Sequence, residues 1–423
     1  MDKGSVIDYF RTYEEFKPLI LERELEVPLD SESIISIMGP RRAGKTYYMF
    51  QLMKRFTGAI YLSFDDFRLN TIKYTELDDV IKVYAEIYGT KPCVLFLDEI
   101  QEIDDWELAV RTFHNLKSYK IFITGSSSKM LSKEIATQLR GRTLSYLLLP
   151  FSFREYLSAL KVDVIKNPGK VAITGIKHRL REYLEFGGFP KVVSERDKIG
   201  TLREYSDLIF LKDFVERHSI KNTNLARYLH ESIIQNFSME MSINSMFGKA
   251  SASGIKAAKR TVQEYINGLQ DTVFFFFVDR YSKKAHMRAS WPKKVYLADT
   301  GLTKIAKFSE DIGRLMENIV FLELMRKRNI KKLMDIYYWK DQRGEVDFLV
   351  READKVTELI QVTYEIDTNN IKRETDSLLR AGIELKCRSL VIITWDREET
   401  ITEDNRKIRI IPLWKWLVAP LKR

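Results

Sequence analysis

An α/β fold built on a parallel sheet, continued by further domains, is what this sequence predicts, and three observations predict it. The run Ile34–Met38 is short and apolar, Gly39-Pro-Arg-Arg-Ala-Gly-Lys-Thr46 follows directly, and Tyr48, Leu52 and Phe56 then recur at helical spacing. More apolar runs of strand length alternate with helical stretches as far as residue 150, an alternation that implies parallel strands covered by helices. At 423 residues the chain exceeds what one ordinary hydrophobic core organises, so two or three domains are expected.

Composition sets outer bounds. Hydrophobic residues make up 45% and charged residues 30%, as in globular rather than disordered chains. Apolar runs such as 273–278 fall far short of the ~18 residues a membrane span needs, so no membrane partner is expected. The first residues, Met-Asp-Lys-Gly-Ser-Val, lack the apolar core of a signal peptide. Cys93 and Cys387 sit in apolar runs without metal-ligand spacing, so reduced structural thiols and a cytoplasmic location are the expectation. The net charge of +10 favours a polyanionic partner only weakly, since solvated lysine faces give the same total.

The segment 39–46 is GxxxxGK[ST] in the context it requires, between a strand and a helix. Its glycines let backbone N–H groups curl around phosphates, and the helix N-terminus adds positive potential. Gly39, Pro40, Arg41, Arg42, Ala43, Gly44, Lys45, Thr46 and the following Tyr47 are therefore the candidate ATP-binding residues. Lys45 is placed to reach the β and γ oxygens, and Thr46 to ligate Mg²⁺. A second apolar run, 93–97, ends in Asp98-Glu99. Asp98 suits the shell of the Mg²⁺ ion, and Glu99 can orient and deprotonate an attacking water. Further strands are expected at 59–64, 120–124 and 144–149, with a helix at 129–139. After the strand 120–124, Ser126 is a candidate γ-phosphate sensor; the alternative is a serine-rich helix cap made by Ser127 or Ser128.

Residues 34–150 resemble an archaeal-type AAA+ ATPase of the kind joined to a restriction-endonuclease-like C-terminal domain. The resemblance rests on the phosphate loop with two arginines inside it, Asp98-Glu99-Ile100-Gln101, Thr124-Gly-Ser-Ser-Ser128 and Leu139-Arg-Gly-Arg142. It implies that Arg142 or Arg140 serves as an arginine finger toward a neighbouring subunit, hence a homo-oligomer; two solvated basic residues are the alternative. It also implies a helical lid over 151–222, where 185–190 carries a Gly-Gly-Phe-Pro turn.

Residues 223–302 read as a winged helix. Helices are expected at 225–237, 243–247 and 255–269, then strands at 272–278 and 294–297 around a basic wing, 280–288. On helix 255–269, Ile255, Ala258, Val262, Ile266 and Leu269 form one stripe, and Lys256, Lys259, Arg260, Gln263 and Asn267 the opposite one. That polar stripe, with Lys283 and Lys284 in the wing, is the candidate DNA surface. Residues 221–294 hold twelve Lys or Arg against five Asp or Glu, a surplus of seven within the chain's +10. The alternative is a domain packed between its neighbours and kept soluble by its lysines.

Residues 309–423 read helix, strand, strand, strand, helix, strand, and resemble the restriction-endonuclease-like domain with its Glu … Asp … Glu-x-Lys signature. Glu317 and Asp347 match; Gln361 stands where the acid belongs and Thr363 where the lysine belongs. An amide supplies oxygen without charge, so Gln361 is a weak third ligand for a divalent ion. Lys340 is a candidate migrated amine. The function expected is a DNA-associated, Mg²⁺-dependent ATPase. An ATP-regulated nuclease or junction-processing enzyme, and a nucleotide-switch signalling ATPase, are the alternatives.

Overall fold

In the computed structural model, which describes residues 1–125, 139, 141–163, 168–306, 311–367 and 370–421, the chain divides into two units, Met1–Leu148 and Leu149–Arg423. The first unit is organised by β1 (Ile34–Met38), β2 (Ala59–Ser63), β3 (Val94–Asp98), β4 (Lys120–Gly125) and β5 (Thr143–Leu147). They lie in the order β2-β3-β4-β1-β5, and every neighbouring pair is parallel. All five residues of β1 are buried, as expected for a parallel strand covered on both faces. Ile34 and Met38 face a core shared with Val6, Tyr9 and Phe10 of α1 (Lys3–Glu15). Ile35 and Ile37 face Tyr48, Met49 and Leu52 of α2 (Lys45–Met53). This split follows from the two-residue period of a strand.

The second unit holds two sheets. β6 (Glu240–Met241), β7 (Phe275–Asp279) and β8 (Lys293–Leu297) form an antiparallel ribbon in the order β6-β8-β7. Helices Thr223–Gln235, Ile243–Ala252 and Lys259–Asp271 precede its longer strands. The last of these helices begins four residues later than the apolar period suggests. Gly254 takes φ +78°, and the Ile255 N–H donates to Ala250 O, so residue 255 closes the preceding helix instead of opening the next. The expected basic wing is different too. Its centre is a helical turn, Ala285–Ser290, and its base is tied down, with Tyr281 N donating to Tyr338 O at 2.7 Å.

The second sheet orders its strands β13-β14-β12-β11-β10-β9, from β9 (Met334–Lys340), β10 (Glu345–Glu352), β11 (Lys355–Val362), β12 (Leu390–Thr394), β13 (Glu399–Glu403) and β14 (Arg406–Pro412). The last two strands and helix Leu413–Val418 extend beyond the expected pattern. Helix Ile371–Glu384 covers one face through Leu378, Leu379 and Ala381.

The Gly-Gly-Phe-Pro turn at the end of helix Lys170–Phe186 has a defined partner. Buried Asp299 accepts from Gly188 N at 2.7 Å and from Gly301 N at 2.8 Å, and the Thr300 hydroxyl donates to Tyr183 O. Burial pushes the Asp299 carboxyl up to about 7, although the two glycine N–H groups pull the other way. Between its unfolded value near 3.8 and 7, the folded chain therefore holds a proton that the unfolded chain has lost. This group's contribution to stability falls as pH rises through that window and levels off above it. In urea melts from pH 5.5 to 7.5, Asp299→Asn is expected to flatten the fall in stability, by up to about 2 kcal/mol. An unchanged pH slope in the variant would refute the assignment.

Candidate functional site

The loop after β1 owes its path to two left-handed residues, Arg42 (φ 68°) and Gly44 (φ 94°), just before α2 starts. Gly39 is required by a close approach: a Cβ there would lie 2.0 Å from Leu148 O. Buried Ala43 offers its carbonyl to the Arg23 guanidinium at 2.8 Å, so the segment before β1 braces the loop from outside. Lys45 turns its ammonium back into the loop. It donates to Gly39 O (3.2 Å) and Pro40 O (3.4 Å) and pairs with Glu99 Oε1 at 3.3 Å. Arg41 is part of the same charge field, while Tyr47 is exposed and edge-on to Phe50.

Asp98 ends β3 beside this lysine and is almost wholly buried. Three hydroxyls converge on it. Thr46 and Tyr61 each donate to Oδ2 at 2.6 Å, and Thr124 donates to Oδ1. Burial and then the neighbouring Glu99 raise its pKa, against the pull of these hydroxyls. The adjoining oxygens of Thr46 and Asp98 fit an ion that prefers oxygen ligands, such as Mg²⁺.

Glu99 adopts φ 50° and ψ 45°, a conformation that costs a non-glycine residue about 1–2 kcal/mol. Its N–H is met by Thr124 Oγ1 at 2.9 Å. Burial works against its charge, but Lys45, then Gln101 and Arg41, outweigh it and hold the carboxyl below the ordinary glutamate value. Gln101 Nε2 donates to Glu99 Oε2 at 2.5 Å.

Of the sequence-predicted residues, Gly39, Pro40, Lys45, Thr46, Asp98 and Glu99 thus come together at the C-terminal edge of the sheet. Ser126, Arg140 and most of the expected helix 129–139 lie outside the described residues. Arg142 does not join the site. Its carbonyl accepts from Ile34 N at 2.9 Å, at the start of β1 and β5 and one strand length, ~13 Å, from the phosphate loop. A role toward its own loop is excluded by that placement. Tyr61 and Asp65, which lies in the field of Glu99 and Asp98, join the site without having been expected there, and Thr124, quoted only as part of the run 124–128, gains a role. Thr124 and Asp65 stand at or just beyond the end of an apolar strand, and that position is the available signal; Tyr61 lies in the middle of β2, opposite Phe96 of β3, and carries none.

In the second unit, Lys259, Arg260 and Gln263 are exposed on helix Lys259–Asp271, while Lys256 is exposed ahead of it rather than on it. Arg260 pairs with Glu264 at 2.9 Å, and Gln263 donates to Asn267 at 3.0 Å. Lys283 and Lys284 are exposed. Part of the basic surplus is spent internally: Arg280 lies over Trp291 and donates to Lys340 O, and Arg288 donates to Ser282 O.

The Glu317 and Asp347 side chains do meet, but around an amine and not around Gln361. The Lys294 ammonium contacts Asp347 Oδ1 at 2.7 Å, Glu317 Oε1 at 3.0 Å and Glu345 Oε1 at 3.0 Å. The Gln361 carbonyl is already engaged, accepting from Asp347 N at 3.3 Å, and Thr363 turns its hydroxyl to Glu365 O. The Gln361 amide oxygen thus meets the backbone of Asp347, and the cation the carboxylates share is Lys294. Lys340, the amine expected from sequence, pairs with Glu240 at 2.8 Å and reaches the cluster only at its edge, 3.7 Å from Glu345 Oε2. Lys294, counted from sequence in the basic surplus of 221–294 at the start of the expected strand 294–297, shares a face of β8 with Tyr296, whose hydroxyl donates to Glu317 Oε1 at 2.7 Å.

Residues 31–157 match a family model described as an AAA domain; 177–311 and 312–416 match two domains of unknown function, DUF8612 and DUF4143. The uncharacterized protein MJ1544 of Methanocaldococcus jannaschii is 37% identical over 411 residues, covering 95% of this chain and 91% of that protein. An uncharacterized protein of Haemophilus influenzae is 27% identical over 401 residues, covering 92% and 95%. Among solved structures, Cdc6p from Pyrobaculum aerophilum aligns over 68% of this chain and 87% of that chain, at 10% identity and a TM-score of 0.27, too low to carry a comparison of folds. More than two-thirds of the M. jannaschii protein is covered at 37% identity, so this chain belongs to the family of MJ1544, and its own residues 31–157, which contain the loop, match an AAA domain.

Proposed function

We propose that this protein is a Mg²⁺-dependent ATPase that binds DNA and acts as a homo-oligomer. The observation that carries the ATPase reading is the joint placement of Lys45, Thr46, Asp98 and Glu99 at one sheet edge. ATP would take residues 39–47, with Lys45 on its terminal phosphates. Thr46 and Asp98 would hold Mg²⁺, which neutralises phosphate charge when bound.

Lys45 and Glu99 neutralise each other at 3.3 Å. A triphosphate offers Lys45 a stronger anionic partner and so frees Glu99 to face the attacking water. Glu99 is suited to that role because its carboxyl stays ionised, and Gln101 and Thr124 fix its position. Arg142 is assigned a role toward a neighbouring subunit's phosphates, the alternative being a solvated basic residue. Arg142→Ala should then slow hydrolysis with ATP affinity nearly intact, and a chain that stays monomeric with ATP would rule that role out.

DNA binding is placed on Lys256, Lys259, Arg260, Lys283 and Lys284, with Gln263 available to base edges. A Lys256/Lys259/Arg260 triple alanine variant should weaken duplex binding uniformly across sequences. The slope of log affinity against log salt should flatten by up to ~3. Unchanged affinity in titrations at two salt concentrations would favour a nucleotide switch acting on proteins. Among the described residues no helix is long and apolar enough to cross a membrane. Cys93, just ahead of β3, is exposed rather than packed, and Cys387 is buried.

A further inference from the structure

The C-terminal acidic residues match the pattern of a divalent-metal nuclease, and the structure gives their cation a different identity. Lys294 is 2% exposed, and its three ammonium donors meet three carboxylates, from helix Ile312–Ile330 (Glu317) and from β10 (Glu345, Asp347). Two further donors reach the same carboxylates. Asp347 Oδ2 accepts from Val362 N at 2.9 Å, and Glu317 Oε1 also accepts from Tyr296. Burial opposes the charge on Lys294, but Asp347, Glu317 and Glu345 together hold its pKa well above the ordinary lysine value. The pocket therefore already contains a full positive charge at its centre. A Mg²⁺ ion would need the same oxygens at about 2.1 Å, in the volume the ammonium fills.

We propose that Lys294 is the resident cation of the Glu317–Asp347–Glu345 cluster, excludes divalent metal from it, and locks β8 onto the C-terminal α/β domain. The lock has a second component that does not depend on charge. Buried Asn318 accepts from Leu297 N and donates to Leu297 O, both at 2.9 Å, so helix Ile312–Ile330 pairs with β8 as another strand would. The ribbon that follows the basic helix Lys259–Asp271 is thereby fixed to the domain through side chains on both sides of Tyr296. The nuclease-like site becomes a joint, and the fold is kept for attachment rather than for cleavage.

The test is Mn²⁺ uptake by the full chain without nucleotide, followed by the electron paramagnetic resonance of free Mn²⁺. Wild-type protein and Glu317→Gln should take up the same amount, because the cluster holds no metal. Lys294→Met should gain one Mn²⁺ per chain, and Lys294→Met/Asp347→Asn should lose that gain. A wild-type Mn²⁺ that Glu317→Gln removes would overturn the proposal, as would a folded Lys294→Met that gains none. If Lys294→Met does not fold, the triple variant Lys294→Met/Glu317→Gln/Asp347→Asn decides. The proposal requires it to fold, since the two buried carboxylates lose their charge together with the lysine and the remaining one, half-buried Glu345, keeps Lys340 at 3.7 Å as its partner; its failure would assign Lys294 to packing alone.

Discussion

Lys45→Ala is expected to abolish nucleotide binding, and Glu99→Gln to keep binding while losing turnover by about 10²–10⁴-fold. The two differ because the residues meet different charges. Lys45 is the ammonium inside the loop, within reach of Gly39 O and Pro40 O, so its removal leaves the terminal phosphates facing carbonyl oxygens. Glu99 faces that ammonium from the tip of β3, and glutamine preserves its shape and its contact with Gln101 while removing the base. Asp98 cannot substitute, because three hydroxyls already donate to its two oxygens. Equilibrium binding of a fluorescent ATP analogue, set beside phosphate release, separates the outcomes. A Glu99→Gln protein that hydrolyses ATP at the wild-type rate would show that the base is elsewhere, with Asp65 the next group to test.

Gly187→Ala should be the most damaging small substitution in the second unit, costing about 3 kcal/mol or more. Gly187 takes φ 75° and ψ −164°, a region that side chains with a Cβ essentially do not occupy. A Cβ there would also lie 1.7 Å from Asp299 Oδ1, and that carboxylate cannot retreat without losing its bonds to Gly188 and Gly301. Gly169→Ala serves as the control, since a Cβ there meets nothing within 4 Å. Urea denaturation of both variants decides: equal stabilities would mean the turn yields easily, and the role given to Asp299 would fall with it.

By itself the sequence determined the five strands of the first unit, the loop between β1 and α2, and the Asp98-Glu99 pair at the tip of β3. These are local features, written in the spacing of apolar residues, in glycines that permit left-handed turns, and in polar residues directly after strands. Only the tertiary structure decided which charges meet. Lys294 is 23 residues from Glu317 and 53 from Asp347, and no periodicity links them. Gln361 Oε1 accepts from the backbone N–H of Asp347 on the neighbouring strand, a matter of register between β10 and β11. Arg142 falls at the far end of its strand because β5 runs parallel to β1, which carries the loop at the opposite end. Buried ion pairs are selected by geometry and desolvation across distant segments, so a lysine counted as one of many surface bases can be the centre of a closed carboxylate cluster.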